Sequence, residues 1–429
     1  MPPACHPMHI LLINHYAGSL RHGMEFRPYY LAREWLRAGH TVRIVAASHT
    51  HLRAVPSGCD GRPRHDELID GIAYSWLATP PYHGNGLGRA RNMAAFVAGL
   101  YHQARTLVRE CRPDLVIASS TYPADIWPAR HIARLSGARL AFEVHDLWPL
   151  SPMALGGLPR WHPFIVLMQA AENHACRHAD TVISLLPKAG AHLQAHGMAP
   201  HKLHIIPNGI DPAEWQHAPE PLAAALAGQL AALRARGPLV GYAGSHGSAN
   251  ALGNLLRAAR LLEHEAVFVL AGDGPLKPAL QQQAMRDGLR NVHFLPPQPK
   301  RAMPALLAAF DLAYLGWQSH PLYRHGIAPN KLGDYMMAAR PVLHAVDAGN
   351  DPVAEAGCGI SVAPERPDLL AGAIRRLLAL PPAERAELGR RGRRHALQHL
   401  TYALLAERML AACCGAAPST GVHHEHPPH

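Results

Sequence analysis

Residues 321–342, PLYRHGIAPNKLGDYMMAARPV, join a break in regular structure to the start of a helix. Gly326 and Pro329 interrupt regular structure, and the spacing of the residues that follow predicts a helix over residues 331–339. Proline fixes a backbone angle suited to a first helical turn and asparagine is a favoured capping residue, so Pro329 and Asn330 fit the helix start. The unpaired amides of such a turn, together with the helix dipole, predict an anion-binding site.

Two charged side chains extend this prediction. Lys331 places a cation beside the predicted anion site. Asp334 lies about one turn later, where its carboxylate can accept two hydrogen bonds from a sugar diol. The stretch therefore predicts recognition of phosphate and sugar groups on one helix. The alternative is a helix with a structural role alone, which packs Leu332, Tyr335 and Met336 into the hydrophobic core.

The segment GIAPNKLGDYMMAARPV resembles the nucleotide-binding segment of retaining GT-B glycosyltransferases of family 4, in the subgroup that makes bacterial polysaccharides. In that family two glutamates at a fixed spacing span the donor, and the second usually holds the ribose hydroxyls. Asp334 matches the second glutamate, whereas the first would fall at Gly326, which has no side chain. The donor-sugar contact of the first glutamate must therefore come from another residue.

The resemblance covers nearly the whole chain and implies an α/β fold of the GT-B type, with two Rossmann-like, doubly wound parallel-sheet domains facing a cleft. Two series of strand, glycine-bearing loop and helix, which begin at HILLIN (residues 9–14) and LVGYAGS (239–245), agree with this division. The expected parts are an N-terminal acceptor domain (1–213), a C-terminal nucleotide-sugar donor domain (214–396), a helix returning to the N-terminal domain (397–415) and a disordered tail (416–429).

The loop after the first strand resembles the opening loop of the family, which faces the acceptor and the donor phosphates. Gly18, Gly23, Glu25 and Arg27 are the candidate substrate-binding residues in this region. The alternative is that Glu25 and Arg27 pair with each other at the start of a helix.

A second group follows the predicted strand ARLAFEV, residues 138–144. Doubly wound sheets bind ligands at the carboxyl ends of their strands, and His145 and Asp146 come directly after this strand. The loop VHDLWP also resembles the corresponding loop of the family. This resemblance implies that His145 hydrogen-bonds the transferring sugar or the acceptor and that Asp146 orients it. With Lys331 and Asp334, they are the predicted catalytic residues; a lone histidine would more often be structural.

In the second series, glycines ahead of a helix let backbone amides approach a pyrophosphate. The predicted substrate-binding residues lie on this loop, on the loops after the next two strands and before the Lys331 helix: Gly244, His246, Gly247, Asp273, Gly274, Pro297, Arg324, Pro329 and Asn330. Members of the family often place an arginine and a lysine after the first loop. Here they are absent, so charge neutralisation would rely on Lys331, Arg324 and helix dipoles.

The chain of 429 residues holds 41 Lys and Arg against 31 Asp and Glu, which favours anionic partners such as nucleotides or a lipid surface. The first 215 residues hold 20 of the basic and 15 of the acidic side chains. The basic excess is thus spread evenly and does not indicate a nucleic-acid partner. Seven cysteines without a Cys-x-x-Cys pair predict a reducing cytosol and no disulfide framework.

We expect a cytoplasmic protein, since the sequence contains no run long enough for a membrane span and no signal peptide. An amphipathic helix with several arginines is predicted over about residues 89–110. In the family such a helix can meet a membrane or a lipid-linked acceptor, which implies peripheral contact at the inner face of the membrane. A solvated basic face is the alternative.

The resemblance implies transfer of a sugar from a nucleoside diphosphate sugar to an acceptor hydroxyl, with retention. We expect a UDP-linked hexose, N-acetylated or deoxy-amino, and a lipid-linked or polysaccharide acceptor. Because the chain has no Asp-x-Asp motif, we expect no metal and no cofactor at the pyrophosphate. Two alternatives remain: a UDP-sugar 2-epimerase of the same architecture, and a non-catalytic nucleotide-binding partner protein.

Overall fold

The apolar runs of the sequence form parallel strands in a computed structural model, which describes residues 6–55, 57–84, 86–216 and 220–415. The chain divides into two α/β units, one from Met1–Pro207 with Tyr402–His429 and the other from Asn208–Thr401. The predicted boundaries, 213/214 and 396/397, lie six residues after and five residues before the observed ones. The predicted tail, residues 416–429, lies outside the described residues.

The N-terminal unit is built on an eight-stranded sheet with the order β3-β4-β2-β1-β5-β6-β7-β8. Its strands are β1 (His9–Ile13), β2 (Thr41–Ala47), β3 (Arg64–Ile69), β4 (Ile72–Leu77), β5 (Leu115–Ala118), β6 (Arg139–Val144), β7 (Thr181–Ser184) and β8 (Leu203–Ile205). All neighbouring pairs are parallel except β3 with β4. Every residue of β5 and β7 is buried, as expected for a parallel sheet that is covered on both faces.

The helices of this unit are α1 (Arg27–Arg37), α2 (Leu87–Cys111), α3 (Ile126–Ser136), α4 (Leu150–Ala154), α5 (Pro163–His178), α6 (Gly190–Ala195) and α16 (Tyr402–Cys414). The last helix of the chain packs against the first. Trp35 Nε1 donates to the carbonyl of Ala406 over 3.0 Å, and the rings of Tyr30 and Tyr402 stack with centres 4.7 Å apart. The C-terminal helix is thus part of the N-terminal unit.

Residues 52–71 are polar and turn-rich, which is typical of an inserted loop, yet they contain strand β3. The segment RHDELI instead pairs antiparallel with β4 from Arg64↔Leu77 to Ile69↔Ile72. It forms the edge of the sheet, where polar and charged side chains are tolerated in a strand. Its composition therefore resembles that of a loop.

The C-terminal unit has a six-stranded parallel sheet with the order β11-β10-β9-β12-β13-β14. Its strands are β9 (Leu239–Ala243), β10 (Val267–Ala271), β11 (Val292–Leu295), β12 (Leu312–Gly316), β13 (Val342–Ala345) and β14 (Gly359–Ser361). The strand order reverses beside β9, which pairs with β10 on one side and β12 on the other. Such a switch point is where doubly wound sheets bind ligands. The prediction of two Rossmann-like sheets is confirmed.

The helices of this unit are α7 (Ala213–Gln216), α8 (Ala224–Arg234), α9 (Leu252–Leu261), α10 (Lys277–Arg286), α11 (Met303–Ala308), α12 (Asn330–Met337), α13 (Pro352–Ala356), α14 (Pro367–Ala379) and α15 (Pro382–His399). Helix α12 differs from its prediction. Pro329 is the N-cap and makes no side-chain capping bond, while Asn330 is the first helical residue and is exposed. The prediction that Asn330 caps the helix is therefore wrong. The helix also ends before Ala339, whose φ of +51° is left-handed.

Within the described residues, no helix has both the length and the apolar character needed to span a bilayer.

Candidate functional site

The residues predicted to bind the donor gather in the C-terminal unit, at the ends of β9 and β10. These strands are parallel neighbours, so the loops that follow them emerge at one edge of the sheet. The amide of Gly244 donates to the carbonyl of Ala271 over 3.0 Å, and the amide of His246 donates to the carbonyl of Asp273 over 2.8 Å. These bonds tie the two loops into one surface, which we call the strand-end surface.

Gly272 and Gly274 permit the close approach of these loops. A Cβ at residue 272 would lie 1.9 Å from the carbonyl oxygen of Gly244, and one at residue 274 would lie 2.7 Å from the amide nitrogen of His246. Their φ angles of +143° and +154° are also rare for residues with a side chain. The backbone geometry therefore requires glycine at both positions.

Lys331 reaches the strand-end surface from α12. Its Nζ donates to the hydroxyl of Tyr242 over 3.0 Å and to Oδ1 of Asn250 over 2.6 Å. A Cβ on Gly244 would stand 3.4 Å from the same ammonium, so the glycine leaves that side open. Burial lowers the pKa of Lys331 to about 8. Its hydrogen-bond acceptors in the described chain are neutral, and no carboxylate there forms an ion pair with it.

The first turn of α12 supplies two further donors. The backbone amides of Asn330 and Lys331 have no acceptor among the residues that the structure describes. Free amides at a helix start attract anions, and the cation on the same turn adds to this attraction. The start of α12 and the strand-end surface thus have the charge and the hydrogen-bond donors of a phosphate site.

Asp334 lies three residues after Lys331 on α12 and is partly buried. Its carboxylate makes no hydrogen bond within the described chain. Burial raises the pKa of Asp334 to about 6, although the Lys300 ammonium opposes this effect. A carboxylate with unused acceptor capacity suits a sugar diol.

The other predicted donor contacts lie on loops of the same unit. Gly247 precedes a short 3-10 turn, and Oδ1 of Asp273 accepts a hydrogen bond from the amide of Gly274 over 2.8 Å. Pro297 follows β11 and is exposed, as is Arg324 in the segment before α12. Contacts of these residues with a substrate stay predictions.

His246 is one of the predicted substrate-binding residues, but in this structure its side chain is closed off from solvent. Its imidazole is buried at 0% exposure and packs edge-on against Phe294, with ring centres 6.1 Å apart. Neither ring nitrogen has a hydrogen-bond partner among the described residues. The backbone of His246 instead holds the loops together, since its amide bonds to Asp273 and its carbonyl accepts from the amide of Leu276.

Three residues of the strand-end surface were not among the predicted site residues: Tyr242, Asn250 and Lys277. The Lys277 ammonium donates to the carbonyls of Gly272 over 2.7 Å and Leu295 over 3.1 Å, so it joins the ends of two strands. The sequence could have indicated Tyr242 and Asn250 as site residues, because both flank the glycine loop. No such indication existed in the sequence for Lys277, since its hydrogen-bond partners are backbone carbonyls.

In the N-terminal unit, Gly18 and Gly23 belong to a tight loop after β1. The amide of Gly18 donates to the carbonyl of Glu25 over 2.8 Å, and a Cβ at Gly18 would lie 1.9 Å from the carbonyl oxygen of Gly23. Glu25 is partly buried, and its carboxylate has neither a hydrogen bond nor an ion pair within the described chain. Substrate contacts of these three residues stay predictions.

Arg27 has a structural role that contradicts both predictions made for it. Its Nε donates to Oε1 of Glu143 over 3.0 Å, and both side chains are 1% exposed. The rest of the guanidinium bonds to the carbonyls of Ile206 over 3.0 Å and Pro207 over 2.5 Å. Arg27 therefore neither presents its charge to a phosphate nor pairs with Glu25. A buried guanidinium needs a carboxylate of equal burial, which Glu143 supplies.

Glu143 also holds His145 at the end of β6. The Nε2 atom of His145 lies 3.1 Å from Oε2 of Glu143 and 3.1 Å from the hydroxyl of Ser119. Burial alone would raise the pKa of Glu143, but the Arg27 guanidinium, with His145 and Ser119, holds it well below its usual range. Since an ionised Glu143 can only accept, Nε2 of His145 carries a proton and Nδ1 presents its lone pair in the neutral ring.

Asp146 is exposed and lines a cavity of about 680 Å³ within the N-terminal unit. The guanidinium of Arg89 lies at this cavity, 5.8 Å from the ring centre of Trp148, and donates to the hydroxyl of Tyr16 over 2.9 Å. The apolar side chains of the wall include Leu87, Met93, Leu155, Leu158 and Phe164. The cavity therefore combines one carboxylate and one cation with a mainly apolar wall.

Two models of glycosyltransferase domains match the chain, one over each α/β unit. Residues 22–209 match the Glycosyl transferase 4-like domain, and residues 237–380 match Glycosyl transferases group 1. The Escherichia coli (strain K12) protein WcaI, to which a role as a glycosyl transferase in colanic acid biosynthesis is ascribed, is 26% identical over 360 residues. The match covers 81% of this chain and 87% of WcaI.

Two solved structures illustrate the shared fold. Anabaena HepE in complex with UDP-glucose has a TM-score of 0.67 at 17% identity, over 95% of this chain and 99% of HepE. WaaG, a glycosyltransferase involved in lipopolysaccharide biosynthesis, has a TM-score of 0.65 at 18% identity, over 95% of this chain and 100% of WaaG. With a glycosyltransferase domain model matched to each of its two doubly wound units, the chain belongs to the GT4-like glycosyltransferases of the GT-B fold.

Proposed function

We propose that the protein transfers an N-acetylated or deoxy-amino hexose from a UDP-linked donor to a hydroxyl of a lipid-linked or polysaccharide acceptor, with retention. The observation that carries the donor part is the Lys331 ammonium, held by Tyr242 and Asn250 beside Gly244 without an ion-pair partner in the described chain. A diphosphate supplies the negative charge that this arrangement lacks.

Three groups of the C-terminal unit bind different parts of the donor. Lys331 and the first amides of α12 neutralise the diphosphate, and Asp334 accepts hydrogen bonds from the ribose hydroxyls. UDP as the nucleotide is supported by HepE, whose structure contains UDP-glucose. Because a cation and helix amides already stabilise the leaving charge, we propose that no metal ion takes part at the diphosphate.

The N-terminal unit offers a place for the acceptor in the cavity lined by Asp146, Arg89 and Trp148. Three apolar side chains, Leu87, Leu155 and Trp161, are exposed by 90%, 58% and 75%. The first two also line this cavity. Exposed apolar groups with an arginine suit a lipid-linked acceptor at the cytoplasmic face of a membrane. The roles ascribed to WcaI in colanic acid biosynthesis and to WaaG in lipopolysaccharide biosynthesis support a polysaccharide-related acceptor.

Among the side chains of the N-terminal unit, His145 is best suited to position a reacting hydroxyl. Glu143 and Ser119 fix the proton on Nε2, so Nδ1 of the neutral ring can accept a hydrogen bond from the sugar or the acceptor. In a retaining transfer of this family the departing phosphate takes the acceptor proton. His145 then orients the hydroxyl and does not need to act as a nucleophile.

The test is release of UDP by the purified full chain in the presence of a panel of UDP-, GDP- and ADP-linked sugars with polyprenyl-diphosphate-linked sugars as acceptors. We expect release from one UDP-linked hexosamine that depends on the acceptor and is lost in Lys331→Met, with unchanged affinity for UDP when Mg²⁺ or Mn²⁺ is added. The absence of acceptor-stimulated release from every donor would contradict the proposal. Conversion of a UDP-N-acetylhexosamine without acceptor would indicate the epimerase instead.

A further inference from the structure

Two histidines and a buried glutamate meet between α5 and α6 in the N-terminal unit, outside the residues discussed so far. Glu172 lies on α5, His192 lies on α6, and His196 follows the end of α6. One potential ligand atom from each of the three lies within 4.8 Å of the other two. Among the described residues, this is the one such group of three histidine, cysteine or acidic side chains.

The distances in this cluster suit a small cation. His192 Nε2 lies 2.8 Å from Glu172 Oε1, and His196 Nε2 lies 3.8 Å from Glu172 Oε2. Ligand atoms of a tetrahedral Zn²⁺ ion are separated by about 3.3 Å, given metal–ligand bonds of about 2.0 Å. The two observed separations lie on either side of this value. Each separation involves a different oxygen of the carboxylate, and one ligand atom from each residue lies within 4.8 Å of the others, so side-chain rotations would bring the three residues around one metal ion.

Side chains behind the ligands fix the orientation of His196. Gln169 Nε2 donates to Glu172 Oε2 over 2.7 Å and to Asn173 Oδ1 over 3.0 Å, which uses both of its hydrogens. The same nitrogen lies 3.0 Å from His196 Nδ1, but it has no hydrogen left for that contact. Asn173 Oδ1 lies 2.9 Å from His196 Nδ1 and can only accept, so Nδ1 carries the proton.

This tautomer leaves the lone pair of His196 Nε2 on the side of Glu172. A lone pair and a carboxylate oxygen 3.8 Å apart repel each other, and Glu172 is only 2% exposed. A cation between them would remove the repulsion and would complete the coordination of the carboxylate. Histidine ligands are commonly held in this way, by an outer hydrogen bond from the nitrogen that does not bind the metal.

We propose that Glu172, His192 and His196 bind one Zn²⁺ ion that joins α5 to α6, in exchange for the proton that His192 Nε2 shares with Glu172 Oε1 and that is released to solvent. The set of two imidazoles and a carboxylate is typical of Zn²⁺, whereas Mg²⁺ and Ca²⁺ prefer oxygen ligands alone. Both histidines are partly exposed, so water can take the fourth position. The ion would lie in the N-terminal unit and stabilise the packing of α5 against α6. This role is independent of any ion at the diphosphate.

The test is zinc titration of the full chain by calorimetry, with metal content measured after dialysis. His423, His424, His426 and His429 are changed to alanine in every sample, because the terminal histidines would bind zinc on their own. We expect one Zn²⁺ per chain, a rise in the melting temperature with Zn²⁺ but not with Mg²⁺, and the strong visible absorption of four-coordinate Co²⁺ on substitution.

Variants in this background separate a metal site from a simple ion pair. We expect His192→Ala and His196→Ala to weaken zinc binding at least 100-fold, and Asn173→Ala to weaken it about 10-fold to 100-fold through loss of the outer hydrogen bond. The matched control is His174→Ala with His178→Ala. It removes another close histidine pair, which lies on α5 with ring centres 4.5 Å apart and has no acidic neighbour among the described residues. Substoichiometric zinc, or equal binding by all of these variants, would overturn the proposal.

Discussion

Arg27 and Glu143 form an ion pair in which Nε donates to Oε1 over 3.0 Å and each side chain is 1% exposed. Removing one member leaves the other charge buried without a partner. We therefore predict that Arg27→Ala lowers the free energy of unfolding by about 3–5 kcal/mol, measured by denaturant titration. Arg21→Ala is the control, because Arg21 is 71% exposed beside Glu67 and its loss should cost less than about 1 kcal/mol. Equal effects of the two changes would contradict the structural role of Arg27.

His145 gives a second prediction, because its ring is held by Glu143 while Nδ1 is the atom proposed to meet the substrate. We expect His145→Ala to lower kcat roughly 10-fold to 100-fold, in line with one lost hydrogen bond to a reacting group. The melting temperature should change little, since Glu143 keeps its bonds to Arg27 and Ser119. An unchanged kcat in His145→Ala would remove the residue from the proposed mechanism.

Gly272 gives a third prediction, which concerns the geometry of the strand-end surface. In Gly272→Ala the new Cβ would lie 1.9 Å from the carbonyl oxygen of Gly244, so the two loops must separate. We expect a loss of about 2 kcal/mol or more in unfolding free energy together with a weaker affinity for UDP. The control is Gly253→Ala on α9, where the nearest atom would be Oε1 of Gln283 at 3.8 Å. That change should be neutral or stabilise by up to about 1 kcal/mol. Similar behaviour of the two variants would contradict the account.

Asp334 gives a fourth prediction, because burial raises its pKa from 3.8 to about 6. The folded state therefore prefers the protonated carboxyl, so this group lowers stability progressively as the pH rises from 3.8 to about 6 and fully above that range. We expect Asp334→Asn to raise the unfolding free energy by about 1–3 kcal/mol at pH 8 and by almost nothing at pH 4. The same change should weaken UDP binding. A variant that gains no stability at pH 8, or that keeps full affinity for UDP, would contradict the role of Asp334.

The sequence predicted the repeated parallel strands because they are short apolar runs, as in ILLI of β1 (residues 10–13) and VFVLA of β10, and the structure buries every residue of these two runs. It also predicted the loops at the strand ends, because glycine is required where they approach one another. It failed where a side chain has a partner distant in sequence. An acidic residue within the apolar strand β6 was the only sign in the sequence that Glu143 has a special role. Its partner, Arg27, could not be identified because it lies 116 residues away in the chain.

Local patterns misled at two other positions. The edge strand β3 has the composition of a loop, because its outer side is solvated. Asn330 is a typical capping residue, yet the cap falls on Pro329. The burial of His246 was not predictable, because it depends on packing against Phe294 and Tyr242, whose positions follow only from the folded sheet.

The fifth prediction concerns the central claim, that the Lys331 ammonium binds the donor diphosphate. Burial lowers the pKa of Lys331 to about 8, so the charged fraction falls as the pH rises above this value. The direct measurement is calorimetric titration with UDP at pH values between 7.5 and 9, for the native chain and for Lys331→Met. For the native chain we predict a Kd that rises with pH and approaches a tenfold increase per unit above about pH 8, with uptake of protons on binding. Lys331→Met should bind at least tenfold more weakly at pH 7.5 and without this pH dependence. A native Kd that does not change over this range, or equal binding by Lys331→Met, would contradict the account.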